Sequence, residues 1–354
     1  MVAIQTAERP ALAAKAARAA GLYYVNEGES GLTRAGPPTS LRLCRPNGTP
    51  VLDRQVRRRV ERLVIPPAWT DVWICNSPRG HIQAMGRDAR GRRQYIYHRA
   101  WREVRDGAKF DRIVAFARAL PRIRARVVRD LARRGLSKEC ILATIVRLLD
   151  VTHIRVGNEE YARANGSFGL TTLRDRHATT NATSVQLEFR GKSGKLHRTR
   201  LGDRRLARIV RACQDLPGQH LFQYLDAGVP RPITSNDVNA YLREISGADF
   251  TAKDFRTWAG TVLMATALCE SDPKADITPA RSVPAAVKVV ARKLGNTPAV
   301  CRRSYIHPAI IEGHTRGVLM RRLTPLLARR RSSRAALSDG EAAVLVFLSR
   351  TRRN

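Results

Sequence analysis

The sequence is poor in acidic side chains. Its 354 residues include 30 Asp and Glu against 64 Lys and Arg, which gives a formal net charge of +34 at pH 7. A charge excess of this size attracts polyanions and raises the rate of encounter with them. We expect a nucleic acid as the partner, because phosphate neutralisation supplies most non-specific affinity for DNA or RNA. A solvated basic surface and an anionic membrane are the alternatives.

Several common signatures are missing. None of the six cysteines forms a Cys-x-x-Cys pair and no histidines have His-x-x-x-His spacing, so neither a zinc site nor a disulfide framework is predicted. No run approaches the ~18 apolar residues of a membrane span. The Ala-rich stretch 11–22 lacks the apolar core of a signal peptide and predicts a short helix. We expect a cytoplasmic chain that binds neither a metal ion nor a membrane.

The first hundred residues are typical of a β-rich region. Short alternating runs bounded by turn residues predict strands at residues 72–75, 81–85 and 94–98. The stretch 28–49 is rich in Gly, Pro, Ser and Thr, and we interpret it as loop.

From about Trp101 onward the apolar period becomes helical. Ser137 is expected to cap one helix, and Ser338 with Glu341 forms a capping box before another. One hairpin interrupts the helices, with strands at 184–190 and 195–201. Helical segments are predicted at 110–120, from Pro121 to 132, and at 236–245, 252–269, 283–294 and 342–348.

Together these patterns predict an α+β protein of two domains. Residues 1–103 are expected to form a small β-rich DNA-binding domain. Residues 104–354 are expected to form a larger, mainly helical domain with a basic C-terminal segment, of which 316–334 is predicted to lie on the surface.

Tyr305 is the candidate with the most chemical meaning, since it lies in the basic run Arg302-Arg303-Ser304-Tyr305. A phenol of pKa about 10 is both a fair nucleophile toward a phosphodiester and a fair leaving group. A single tyrosine is more often a packing residue. The prediction therefore depends on other groups that the same reaction requires.

Strand cleavage by a tyrosine needs cations and a proton donor. Guanidinium groups stay charged and match the two non-bridging oxygens of the phosphate, and a lysine on a hairpin suits protonation of the departing sugar oxygen. Three separate segments supply Arg155, Lys192 and Arg256. A single arginine in so basic a chain is usually solvated, so the prediction depends on all four residues together.

These segments resemble those of the type IB DNA topoisomerases, specifically the compact poxvirus-like bacterial branch. The resemblance extends from about Pro66 to Pro308, and it is most specific in two stretches. These are Ile154-Arg155-Val156-Gly157-Asn158-Glu159-Glu160-Tyr161 and the segment that ends at Tyr305.

The resemblance implies a fold and an activity. The β-rich domain and the helical catalytic domain, which is of the topoisomerase IB and tyrosine recombinase type, would close as a C-shaped clamp around double-stranded DNA. The enzyme would relax positive and negative supercoils through a 3′-phosphotyrosyl intermediate, strand rotation and religation. It would need no ATP, metal or other cofactor, and would act as a monomer on the bacterial nucleoid.

The resemblance also implies roles for individual residues. Tyr305 would be the nucleophile, Arg155 and Arg256 would stabilise the phosphorane, and Lys192 would be the general acid. Asn296 stands where the best-known viral members have a histidine that donates to a non-bridging oxygen. An amide can also donate but stays neutral, so we expect retained, slower chemistry with less pH dependence near neutrality.

The same resemblance implies a set of DNA contacts. Lys253 would support the scissile phosphate and Tyr161 would contact the DNA backbone, while Gln94, Tyr95 and Tyr97 would face base edges, sugars or phosphates. A plain alternating strand is the alternative for the last three.

Two neighbours of the predicted catalytic residues receive structural roles instead. His307 is expected to have a structural or capping role, and Trp258 is expected to pack in the core.

Two other functions remain open at this point. A tyrosine recombinase uses related chemistry but usually has a histidine three residues before its second arginine, where this chain has Lys253. A non-enzymatic basic protein of the nucleoid, or one that binds RNA, would explain the charge but not the spacing of the four catalytic candidates.

Overall fold

The structure is a computed structural model that describes residues 2–26, 28–36, 40, 42–270, 278–327 and 337–351. The chain divides into two compact units, residues 1–111 and 112–354. Each is described separately.

The first unit contains a five-stranded antiparallel sheet in the order β2-β1-β3-β4-β5. Its small core lies on one face of the sheet and includes Leu32, Val72, Ile74 and Ala84. The elements of this unit are α1 (Val2–Ala19), β1 (Leu32–Ala35), β2 (Arg42–Cys44), α2 (Arg54–Glu61), β3 (Thr70–Ile74), β4 (Ile82–Arg87) and β5 (Arg93–Tyr97).

The three strands predicted in this unit are confirmed as β3, β4 and β5, with ends that differ by one to two residues. The prediction of loop for 28–49 is wrong in part, because β1 and β2 lie within it; residues 27, 37–39 and 41 are outside the described residues. Glycines and prolines obscured these strands. β2 pairs with β1, and β1 pairs with the long-range partner β3 through Leu32 opposite Ile74. The helix expected at 11–22 is confirmed but begins earlier, at Val2.

The second unit is mainly helical, and its first helix, α3, begins in the first unit. The other helices of this unit lie between Lys138 and Thr351. The helices are α3 (Arg99–Asp130), α4 (Lys138–Thr152), α5 (Glu159–Asn165), α6 (Arg204–Gln214), α7 (Ser235–Ser246), α8 (Ala252–Cys269), α9 (Pro279–Leu294), α10 (Pro298–Tyr305), α11 (Pro308–Thr315), α12 (Val318–Leu327) and α13 (Asp339–Thr351).

Two small antiparallel sheets accompany these helices. In one, β6 pairs with β7 and β7 with β8, so that Arg190 lies opposite Leu196 next to the predicted turn. The predicted hairpin is confirmed. The strands are β6 (Ala178–Thr180), β7 (Ser184–Arg190), β8 (Leu196–Gly202), β9 (Gln223–Asp226) and β10 (Val229–Pro232).

Pro121 neither starts nor visibly divides a helix, because α3 continues through it. The buried residues Phe116, Leu120, Ile123 and Val127 form one apolar stripe on both sides of the proline. Their packing outweighs the single backbone hydrogen bond that a proline cannot donate.

Helix α8 lies at the centre of the second unit. Its buried residues include Phe255, Trp258, Met264 and Leu268, and it packs against α4, α9, α10 and α13. The core role predicted for Trp258 is confirmed, and its indole nitrogen donates to Glu341 at 3.0 Å. This helix therefore gives the site residues that it carries a rigid support.

Both predicted caps are confirmed. The Ser137 hydroxyl accepts from the Cys140 amide at 3.3 Å, and Ser338 and Glu341 bond each other's backbone amides before α13. The basic stretch 316–334 lies partly outside the described residues, and its first half forms α12, which buries Leu319 and Leu323. No helix in the described part of the chain is long and apolar enough to cross a membrane.

Candidate active site

The buried Arg256 and the partly buried Tyr305 form the centre of the site. Arg256 lies on α8 with 3% of its surface exposed, and its guanidinium carbon is 5.1 Å from the centroid of the Tyr305 ring. The guanidinium donates to the carbonyl oxygens of His153 and, at 2.7 Å, of Leu294. Arg256 thus has a fixed position because two carbonyls from different helix ends hold it.

Tyr305 is the last residue of α10 and lies close against α8 at Gly260. A Cβ on Gly260 would be 2.6 Å from the Tyr305 carbonyl oxygen and 3.0 Å from its Cβ. The Thr261 hydroxyl lies 3.3 Å from the same carbonyl and donates to it. A residue larger than glycine at position 260 would displace the tyrosine.

The electrostatics of the site favour the phenolate of Tyr305. Burial by itself raises the pKa of this phenol, but Arg256, and more weakly Arg155 and Lys253, lower it. The cations prevail, so the pKa of Tyr305 lies below its ordinary value of 10.0. The surrounding cations therefore favour the ionised form of this phenol.

Arg155 and Asn296 form a second pair in the site. The Arg155 guanidinium donates to Oδ1 of Asn296. Arg155 follows the C-terminal end of α4, and Asn296 follows α9, which ends at Gly295 in the left-handed conformation with φ +62°. Two helix ends thus bring together residues that are 141 positions apart in the sequence.

The loop of Arg155 is fixed by two glycines. Gly157 has φ +107°, and a Cβ on Gly169 would lie 2.6 Å from Gly157 and 2.7 Å from the Arg155 carbonyl oxygen. That carbonyl accepts from the Leu170 amide at 2.9 Å. The close approach of the two backbones explains why the Arg155 segment contains glycine at both positions.

Two buried donors in this centre have no hydrogen-bond acceptor among the described residues. They are Nε of Arg256 and Nδ2 of Asn296. A buried polar group usually has a partner, and leaving it without one costs ~1–3 kcal/mol. Both donors are therefore available to the oxygens of a bound phosphate.

Lys192 occupies a different environment. It lies exposed in the turn between β7 and β8, and no hydrogen bond or ion pair of its side chain occurs within the described ranges. Lys195, at the other end of the turn, has its Nζ 3.4 Å from the Asn296 carbonyl oxygen. The structure thus brings together Arg155, Arg256, Asn296 and Tyr305, and leaves Lys192 on the turn beside them.

The sequence interpretation missed His197. It lies on β8 directly opposite Phe189, and the two rings are stacked with centroids 5.2 Å apart. Burial, and then Arg155, Arg256 and Lys195, lower the pKa of His197 below 6.5. The only signal in the sequence was its place in an alternating strand five residues after Lys192.

The predicted DNA contacts of the first unit lie on the edge strand β5. Tyr95 and Tyr97 share one face and stack at 5.9 Å, and Tyr95 is 37% exposed. Gln94 lies on the other face and donates to Asp88 at 2.9 Å. The three side chains are therefore not on one face, and their DNA contacts stay a prediction.

The remaining predicted positions belong to the second unit. Tyr161 on α5 is 47% exposed. Lys253 is exposed in the first turn of α8, close enough to lower the pKa of Tyr305. The structural role of His307 is confirmed, because its imidazole accepts from the Ala309 amide at the start of α11. Among the described residues, no group of three or more His, Cys, Asp or Glu side chains could hold a metal ion.

Comparison with known proteins gives consistent matches across both units. A family model described as "Eukaryotic DNA topoisomerase I, catalytic core" matches residues 98–317, and one described as "Bacterial DNA topoisomerase IB, N-terminal domain" matches residues 41–88. "DNA topoisomerase 1B" of Acanthamoeba polyphaga mimivirus is 33% identical over 257 residues, which cover 70% of this chain and 76% of the relative. "DNA topoisomerase I" of monkeypox virus and "DNA topoisomerase 1B" of vaccinia virus (strain Copenhagen) are each 24% identical over 236 residues, covering 64% of this chain and 71% of each relative.

Proposed function

The chain belongs to the type IB DNA topoisomerases, and we propose that it relaxes supercoiled DNA through a covalent bond between Tyr305 and a 3′ phosphate. The activity follows from the family, while the assignment of each step to a residue is our proposal. The observation that carries the assignment is the contact of buried Arg256 with partly buried Tyr305, together with the buried donors on Arg256 and Asn296 that have no acceptor among the described residues.

In the first step the Tyr305 phenolate attacks the phosphorus of one strand. The phenolic proton passes to solvent, and the lowered pKa of Tyr305 increases the phenolate fraction at neutral pH. The new bond joins the tyrosine oxygen to phosphorus, and the bond from phosphorus to the 5′ oxygen breaks.

The phosphorane that forms carries negative charge on two non-bridging oxygens. Arg155 and Arg256 neutralise this charge, and the Asn296 amide donates a further hydrogen bond. Arg256 is suited to this role because its Nε remains available while its other nitrogens bond carbonyl groups. Fixed donors need no reorganisation when the charge develops.

The departing 5′ oxygen needs a proton, which Lys192 supplies from its ammonium group. The exposure of the turn allows Lys192 to approach a bound strand and to regain its proton from solvent. The free end can then rotate about the intact strand, which relaxes supercoils of either sign. Attack of the 5′ hydroxyl on the phosphotyrosine reverses the chemistry and reseals the strand.

Binding of duplex DNA would involve both units. We assign DNA contacts to Gln94, Tyr95 and Tyr97 in the first unit and to Tyr161 and Lys253 in the second, with the two units closing as a clamp. The net charge of +34 supports a large electrostatic contribution and a steep loss of affinity with salt. The protein would act as a monomer on the bacterial nucleoid.

The direct test is relaxation of supercoiled plasmid in EDTA without ATP. We expect relaxation of both positive and negative supercoils. Intact DNA binding without relaxation would contradict the proposal, and exchange of strands between two duplexes would indicate a recombinase instead.

Replacement of the nucleophile tests the covalent step. Tyr305→Phe should eliminate the covalent protein–DNA adduct on a denaturing gel while leaving duplex affinity nearly unchanged, because only the reacting oxygen is lost. Tyr224→Phe, at a tyrosine on β9 outside the site, is the matched control and should form adducts normally. Adduct formation by Tyr305→Phe would show that another residue is the nucleophile.

A further inference from the structure

We infer that His197 is a positioning residue, an uncharged aromatic wedge that holds the Lys192 turn at a fixed distance from Asn296. The inference rests on the proposed function, because it assigns His197 a role in delivering the proton from Lys192. It concerns a side chain to which neither the spacing of the catalytic residues nor the family's shared chemistry assigns a task.

The imidazole is confined by two glycines. A Cβ on Gly191, the residue before Lys192, would lie 2.5 Å from Cδ2 of His197. A Cβ on Gly295, the residue before Asn296, would lie 2.8 Å from its Cε1. The ring therefore packs against the backbone of both segments. A side chain in place of either glycine would displace it.

The imidazole ring also has a stacking partner. Phe189 stacks on it with an interplanar angle of 10°, and Phe189 itself is buried. The ring cannot move away from either glycine without losing this stack. It therefore transmits the position of the Asn296 segment to the turn.

The charges around His197 keep it neutral. The groups that face it are the cations Arg155, Arg256 and Lys195, and burial adds to their effect, so its pKa lies below 6.5. An imidazolium here would add a further positive charge to a cationic site. The role is thus one of shape, and His197 is not a proton donor at neutral pH.

The wedge matters because the Lys192 side chain has no partner of its own among the described residues. The position of its ammonium group depends on the turn alone. Misplacement of a reacting group by 1 Å can cost about 10²-fold in rate. We expect such a loss when the ring of His197 is removed.

A change of leaving group tests whether His197 acts through proton donation by Lys192. A DNA strand with sulfur in place of the bridging 5′ oxygen at a cleavage site releases a thiolate, which needs no protonation. Single-turnover adduct formation is measured on oxygen and sulfur substrates for the wild type, His197→Ala, His197→Phe and Lys192→Ala.

On the oxygen substrate we expect His197→Ala to lose about 10²-fold, and on the sulfur substrate to react at nearly the wild-type rate. Lys192→Ala should show the same preference for sulfur, with a larger loss on oxygen, because the general acid itself is removed. His197→Phe keeps the stack and the wedge and should lose less than about tenfold on oxygen, with an unchanged pH profile.

Gly191→Ala provides a second, independent variant. The backbone of Gly191 has φ −95°, which alanine adopts without strain, so the variant acts through contact with the imidazole. It should show the same preference for sulfur. Adding His197→Ala should remove the contact and give no further loss.

Four results would overturn the inference. They are a wild-type rate for His197→Ala on oxygen, an equal loss on oxygen and sulfur, a loss for His197→Phe as large as for His197→Ala, and additive losses for Gly191→Ala and His197→Ala. Failure of the proposed function would look different, because the wild type itself would then form no adduct on either substrate.

Discussion

The two sides of the active site are held in opposite ways. On one side, Arg256 and Tyr305 are carried by α8 and α10 and fixed by carbonyl groups and by the close approach at Gly260. On the other side, Lys192 lies exposed on a turn between two strands. In the proposed mechanism, the first side supplies the nucleophile and stabilises the phosphorane, and the second protonates the leaving group.

The difference corresponds to what each step requires. Negative charge that develops on the non-bridging oxygens is best stabilised by donors that are already in place. A proton donor must instead reach a strand that arrives, leaves and rotates, and must exchange protons with solvent. We therefore expect substitutions on the exposed side to lower the rate of cleavage without changing stability. Substitutions on the buried side should lower both.

The largest effect on rate is expected for Lys192→Ala. Loss of a general acid costs about 10²–10⁴-fold, and we expect the upper part of this range for single-turnover cleavage. Because the side chain is exposed and has no described partner, thermal unfolding should change by less than ~0.5 kcal/mol. Lys192→Arg, which keeps the charge but not the ability to give up a proton, is the control and should be almost as slow. A large loss of stability in Lys192→Ala would show that this side chain is not an exposed group that acts in catalysis alone.

Arg256→Ala should affect both rate and stability. Removal of one preorganised donor costs about 10²–10³-fold in rate. The variant also leaves the carbonyls of His153 and Leu294 without their donor, which should lower the free energy of unfolding by ~1–3 kcal/mol. Denaturant unfolding and adduct formation measure the two effects. An unchanged free energy of unfolding would show that Arg256 contributes to catalysis alone and not to stability as well.

Gly260→Ala tests the buried side without touching a charged group. A Cβ there would lie 2.6 Å from the Tyr305 carbonyl, so overpacking should cost ~1–3 kcal/mol. The displaced tyrosine should cleave about 10²-fold more slowly. Gly107→Ala on α3, where a Cβ meets nothing within 4 Å, is the matched helical control and should be neutral or slightly stabilising. Equal behaviour of the two variants would contradict the close packing at Tyr305.

The smallest effect is expected from Asn296→His, and it concerns pH. In the wild type, cleavage should rise with pH as Tyr305 ionises, toward a pKa below 10.0, and should show no inflection near 6.5 because the Asn296 amide does not titrate. The variant should gain an inflection below ~6.5, since neighbouring arginines lower the pKa of an imidazole placed there. It should be faster on the acidic side of that inflection by a few-fold, as measured by single-turnover cleavage from roughly pH 5 to 8. A wild-type profile that already shows such an inflection would be against a neutral donor at position 296.

Local sequence patterns predicted most of the secondary structure. Alternating residues predicted β7 and β8, and a helical period predicted α8 with its correct ends. Patterns failed at β1, which pairs with the distant strand β3, and at the edge strand β2, which pairs with β1. They also failed at Pro121, where a continuous buried stripe prevails over the local preference of proline.

The sequence by itself determined the kind of chemistry. The basic charge, the segments of Arg155, Lys192 and Arg256, and Tyr305 are properties of residue type and order, and together they predict transfer of a phosphodiester to a tyrosine. Only the tertiary structure decided how tightly each group is held. The contact of Arg155 with Asn296, the close approach at Gly260 and the wedge at His197 join residues far apart in the chain, and such distances depend on packing that no local pattern contains.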